Sequence, residues 1–170
     1  MASLMDELLG VLRQEKQGYI KLTELSEEKR VTIIQGNVDE LDKISSKEQD
    51  VTSELKNLEN KRVNILKDMA VVLGKDDDDI SISKMVEMLE RQPSEQAKLI
   101  QAKDELVEQA SKMQIANQQN EILLRHAMEM VEFDLTLLKS LKQAPETANY
   151  DKNAYNTGEI LGNSGFDTKQ

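Results

Sequence analysis

The chain contains no cysteine and no tryptophan, and only two phenylalanines, Phe133 and Phe166. Without cysteine there are no disulfides and no thiolate chemistry, and a reducing cytoplasmic home is allowed. With aromatics at 3% of 170 residues, a core must be assembled from Leu, Ile, Val, Met and Ala, which suits helices packed on helices. Prolines number only two, and proline is the strongest helix breaker, costing about 3 kcal/mol inside a helix. Long apolar runs are missing as well, so no segment is expected to span a bilayer. The first twelve residues carry Asp6 and Glu7 but no basic stretch, so they are not expected to act as a signal peptide.

Positive charge is scarce. The formal net charge is −10 and the pI is near 4.7, so the surface repels phosphate backbones and anionic membranes unless a local basic patch exists. Lys61–Arg62 and Lys139–Lys142 are interleaved with acidic or apolar residues and form no patch. Neither nucleic-acid binding nor membrane insertion is expected.

The residues needed for catalysis are missing too. His126 is the only histidine, which starves nucleophilic triads and histidine-rich metal sites. A di-iron bundle needs a Glu-x-x-His step on each of two helices, and the residue three before His126 is Leu123. Gly74–Lys75 lacks the upstream glycine of a phosphate-binding loop, because Met69 stands there. The four aspartates Asp76–Asp79 lack the ligand spacing, central glycine and closing glutamate of a calcium loop, and read as a solvated turn. No catalytic, cofactor or metal residue is assigned, and an enzyme is not expected.

What the sequence has in quantity is helical periodicity. Met5, Leu12, Tyr19 and Ile33 fall on one seven-residue series, with Leu8 and Leu22 on its partner. Gly10 and Gly18 interrupt this helix, either to admit a close neighbour or as points of fraying. Gly36 reads as a C-terminal cap, and Asn37 with Glu40 as the next N-cap and its capping-box acid. Beyond it, Leu41, Glu48, Leu55, Arg62 and Met69 form one series, and Ile44, Val51, Leu58, Ile65 and Val72 the other. So sustained a heptad pattern predicts a helix from Asn37 to Leu73, about 55 Å long. The short turn at Gly36 makes the two helices an antiparallel hairpin. Counting back from that turn sets Glu48 near Lys29 and Arg62 near Glu15. These opposite charges either pin the register or snorkel from a partly open seam.

A short helix is predicted over Ser81–Arg91, with Met85, Val86, Met88 and Leu89 on its apolar face. Pro93 then opens a third long helix reaching Gln143. Its stripe includes Leu99, Ala102, Leu106, Met113, Ala116, Leu123, Ala127, Met130, Leu137 and Leu141. Its amide-rich middle, Gln114 to Asn120, reads as solvated, although amides can also set register across a bundle. Eight methionines suit an adaptable binding surface, but at seam positions they more ordinarily fill core gaps. After Ala144 periodicity is lost and Asn, Thr, Ser and Gly dominate, which predicts a flexible C-terminal tail. That tail nevertheless carries Tyr150, Tyr155, Ile160, Leu161 and Phe166. The expected fold is all-α, an antiparallel bundle of three long helices plus a short one, coiled-coil-like in packing. Its helical bundle domain covers 1–143 and its tail 144–170.

Several stretches then carry a resemblance. Leu25-Ser-Glu-Glu-Lys-Arg30, Ile33-Ile-Gln-Gly-Asn-Val-Asp-Glu-Leu41, Glu48-Gln49 and Leu58-Glu-Asn-Lys-Arg62 resemble the first hairpin of the FlgN family of flagellar export chaperones. Asn117-Gln-Gln-Asn120, Leu123–Leu124, Tyr155-Asn-Thr-Gly158 and Phe166-Asp-Thr-Lys-Gln170 extend the likeness over nearly the whole chain. The resemblance implies a cytoplasmic chaperone that binds the hook–filament junction proteins FlgK and FlgL and delivers them to the export gate through FlhA. It places binding in the C-terminal region. There the residues suggest Leu137, Leu138 and Leu141 acting with Tyr150, Tyr155, Leu161 and Phe166. A coiled-coil scaffold or oligomerisation protein is the alternative, and the sequence leaves monomer against homodimer open.

Overall fold

The computed structural model describes residues 1–75 and 80–143. Four helices account for nearly all of them: α1 (Ala2–Gln35), α2 (Val38–Val72), α3 (Ile82–Met88) and α4 (Pro93–Gln143). This is the all-α bundle expected, and the described residues hold no strand. They divide into two compact units, Met1–Ala127 and the part from Met128 onward. The tail residues Tyr150, Tyr155, Leu161 and Phe166 and the aspartates Asp76–Asp79 lie outside the described residues.

The turn between α1 and α2 forms for local reasons. Gly36 takes the left-handed conformation at φ 65°, strained for any side chain, and its N–H donates to the Ile33 carbonyl at 3.1 Å. The Asn37 N–H donates back to the Thr32 carbonyl at 3.2 Å, so both ends of the reversal are satisfied. Asn37 Oδ1 then accepts the Glu40 N–H at 3.1 Å and starts α2. Glu40 does not complete the expected capping box. The Asn37 N–H is already engaged, and the Glu40 carboxylate accepts from Lys43 instead.

Two apolar clusters build the core of the first unit. The larger joins Met5, Leu8 and Leu12 of α1 to Ile65, Leu66 and Met69 of α2, with Met85, Leu89, Leu99 and Leu106 packed onto them. The smaller, nearer the turn, joins Leu22 and Leu25 to Ile44, Val51 and Leu55. Each fully buried leucine here contributes about 1.5–3 kcal/mol relative to exposure. Between the clusters lies a charged layer. Arg62 Nη1 donates to Glu15 at 2.8 and 2.9 Å. Toward the turn, Lys29 Nζ donates to Glu48 at 2.7 Å. Both pairs expected from counting across the hairpin are therefore made, and they pin its register.

The heptad reading slips at the end of α2. Val72, placed on the seam by the seven-residue count, is exposed, while Leu66 and Ala70 are buried. A straight helix turns about 20° away from an exact seven-residue repeat per heptad, so a late stripe position rotates out of the seam. The two glycines of α1 also differ. A Cβ on Gly18 would lie 2.6 Å from Leu55 Cδ2, so Gly18 does admit a close neighbour, whereas one on Gly10 would meet nothing within 4 Å.

α3 is short and anchored. Ser81 caps it by accepting the Lys84 N–H at 3.2 Å, and Met85 and Leu89 are fully buried. Gln96 at the start of α4 donates to the Val86 carbonyl at 2.9 Å, tying α3 to the helix that follows. Farther along α4, the amide-rich stretch is largely solvated as expected, with one correction at Asn120. Asn120 is buried and its Nδ2 donates to the Ser26 carbonyl at 2.7 Å. Ser26 Oγ in turn donates to Asn117 Oδ1 at 2.9 Å. Gln114, Asn117, Gln118 and Gln119 are exposed, so of the five amides in this stretch Asn120 is the buried one.

Candidate partner-binding surface

The second unit has an unusual surface. Between Met128 and Leu141, eight large apolar side chains are exposed: Met128, Met130, Val131, Phe133, Leu135, Leu137, Leu138 and Leu141. Phe133 and Met130 are each 68% exposed and Leu141 66%, so these side chains stand in solvent rather than in a seam. At about 100° per residue they cover roughly three fifths of the helix circumference, interrupted by Asp134 and Lys142. Glu129, Glu132, Thr136, Lys139 and Ser140 take the remaining arc. A soluble monomer rarely leaves so continuous an apolar surface uncovered without a use for it.

Of the residues singled out from the sequence for binding, Leu137, Leu138 and Leu141 belong to this surface and all three are exposed. Met128, Met130, Val131, Phe133 and Leu135 belong to it as well but were not singled out. Periodicity shows that a stripe exists, and by itself does not show whether the stripe has a partner in the same chain. The signal that was legible is width. Eight apolar residues in fourteen exceed what a single seam needs.

The first unit offers a different surface. Along the hairpin, Arg13, Gly18 and Lys21 of α1 and Val51, Leu55, Leu58 and Lys61 of α2 line an open groove of about 610 Å³. Its floor is apolar and three of its rim residues are cationic, in a chain whose net charge is −10. Smaller clefts lie along the other side of α1. One, lined by Lys16, Lys98 and Glu105, is crossed by the Lys16–Glu105 pair at 2.9 Å. Hydrogen bonds from Lys16 and then Gln101, together with the Lys16 charge, hold the Glu105 carboxyl below its ordinary range. Burial pushes Glu15 the other way, above the ordinary range, against the opposing charge and hydrogen bond of Arg62.

His126, the one histidine, is exposed on α4. Among the described residues no group of three or more His, Asp or Glu is placed to hold a metal ion. Nor is any described helix long and apolar enough to cross a membrane. Among the described residues, the apolar surface of α4 and the groove of α1 and α2 have the form of surfaces that bind another helix.

No curated protein and no solved structure matches the chain. The family model described as FlgN protein matches residues 1–158, taking in all four helices. With that match spanning most of its 170 residues, the chain belongs to the FlgN family, a membership that supports a role as a flagellar export chaperone.

Proposed function

We propose that this protein is a cytoplasmic chaperone, not an enzyme, that binds the hook–filament junction proteins FlgK and FlgL before export and hands them on through FlhA. The observation that carries this reading is the exposed apolar run from Met128 to Leu141. An export substrate's terminal helix presents an apolar stripe that would self-associate before assembly. An exposed apolar helix can cover that stripe by side-to-side packing, with Met128 and Met130 adapting to its shape. Leu137, Leu138 and Leu141 are the members of the proposed site that lie among the described residues. Tyr150, Tyr155, Leu161 and Phe166 supply the rest from the segment that follows Gln143. Family membership supports the chaperone role, and the partners' identities are our inference from the resemblance.

Co-purification with FlgK and FlgL from the same organism tests the reading, comparing the full chain, a chain ending at Ala144, and Leu137→Ser/Leu138→Ser/Leu141→Ser. Stable capture by the full chain, weakened in both variants, is expected. The triple variant should keep its thermal midpoint, because exposed substitutions stay within about 0.5 kcal/mol each. Failure of the full-length helical protein to bind either partner would overturn the proposal. Undiminished binding by the chain ending at Ala144 would remove the four tail residues from the site.

A further inference from the structure

The groove of α1 and α2 and the exposed segment of α4 carry matching charge patterns. On the groove, Glu54 and Lys61 are both exposed and stand seven residues apart on α2, on one face and about 10 Å from each other. On α4, Glu132 and Lys139 are also exposed and also seven residues apart, flanking the apolar arc. The charges are opposite and the spacing is the same. A helix lying antiparallel to α2 sets Glu132 against Lys61 and Lys139 against Glu54 at once.

We propose that the groove takes the Met128–Gln143 segment of a second copy of this chain, forming a reciprocal dimer in which each copy gives one helix and receives one. The floor suits such an occupant. Gly18 brings the α1 backbone against Leu55, and the half-buried Leu58, with the edges of the buried Val51 and Leu55, makes a shallow apolar floor along which a helix ridge can lie. Arg13 adds a second cation at the Lys61 end, where the acidic half of the incoming segment, Glu129 to Asp134, would arrive. Lys61 already stands 3.3 Å from Glu7, and both are about half exposed. Such a surface pair contributes little and exchanges readily. The dimer covers the apolar surface of α4 when no export substrate is present. It uses the same segment as the proposed chaperone site, yet it requires no partner other than the chain itself.

The test needs only purified full-length protein. Sedimentation of the wild type should show a monomer–dimer equilibrium at concentrations up to about 100 μM. The groove variant Glu54→Lys/Lys61→Glu and the helix variant Glu132→Lys/Lys139→Glu should each dimerise at least about tenfold more weakly. An equal mixture should recover wild-type association, because in a mixed dimer every reversed pair meets its reversed counterpart. Circular dichroism of each variant checks that the helices are intact. A wild type that stays monomeric overturns the proposal, as do variants that associate like the wild type or a mixture that recovers nothing. Because no FlgK or FlgL is present, failure here leaves the chaperone reading untouched. Loss of substrate capture in the groove variant of a monomeric wild type would assign the groove to the substrate instead.

Discussion

Arg62 reaches across the hairpin and donates from Nη1 to both carboxylate oxygens of Glu15, at 2.8 and 2.9 Å. The Glu15 side chain is 3% exposed and the pair separates the two apolar clusters of the core. In a seam this long, a one-turn slip of α1 against α2 would still bury apolar residues. It would leave Glu15 buried without its cation, and this cost is what makes the observed register the favoured one.

Arg62→Ala should therefore destabilise the protein by about 3 kcal/mol or more, because it strands a buried carboxylate. Replacing both partners together, Glu15→Leu with Arg62→Met, should recover most of that loss or exceed it. Urea denaturation of the two variants makes the comparison. A single variant within about 0.5 kcal/mol of the wild type would mean that water already solvates the pair.

The two shifted glutamates should give opposite pH dependences. Burial raises Glu15 in the folded state, so its contribution is full below its unfolded pKa and is lost as pH rises through the raised value. Hydrogen bonds from Lys16 and Gln101 lower Glu105. Its contribution is therefore present above its unfolded pKa and lost as pH falls through the lowered value. Urea midpoints of the wild type, Glu15→Gln and Glu105→Gln, followed from about pH 3 to 7, separate them. With rising pH the wild type should lose ground to Glu15→Gln and gain ground on Glu105→Gln. Differences that move together would refute the assignment.

Gly10 and Gly18 should respond oppositely to alanine. Gly10→Ala enters open space in mid-helix and should stabilise by about 0.5–1 kcal/mol. Gly18→Ala sets a Cβ against Leu55 at a separation too short to keep, and displacing Leu55 should cost about 1–3 kcal/mol, more than the propensity gain. Thermal midpoints decide. A rise for both would show that Leu55 moves aside without cost.

Asn120→Ala should cost about 1–3 kcal/mol, because it removes a buried donor and leaves the Ser26 carbonyl with a lost partner. Gln118→Ala, two residues earlier and exposed, should be silent within about 0.5 kcal/mol. Equal effects at the two positions would show that the amides act through helix propensity rather than through the bond to α1.

Much of the hairpin was legible because its information is local or periodic. Gly36 and Asn37 announce the turn through backbone chemistry, and the heptad series follows from the helix repeat. Pairing Arg62 with Glu15 and Lys29 with Glu48 required only counting back from that turn. Asn120 was not legible, since an amide on a helix reads the same whether it meets water or the carbonyl of a residue 94 positions away on another element. Val72 was misplaced because a strict seven-residue count ignores the drift of a straight helix.

By itself, the sequence determined the four helices, the direction of the hairpin and its register, because each depends on neighbours along the chain or on one short turn. The short helix expected over Ser81–Arg91 ends earlier, at Met88. Only the tertiary structure decided which apolar stripes find partners. Leu99 and Leu106 of α4 are buried in the core, whereas Leu137 and Leu141, on the same stripe of the same helix, are exposed. Periodicity specifies a face, but burial requires another surface to meet it, and that surface comes from elsewhere in the fold or from another molecule.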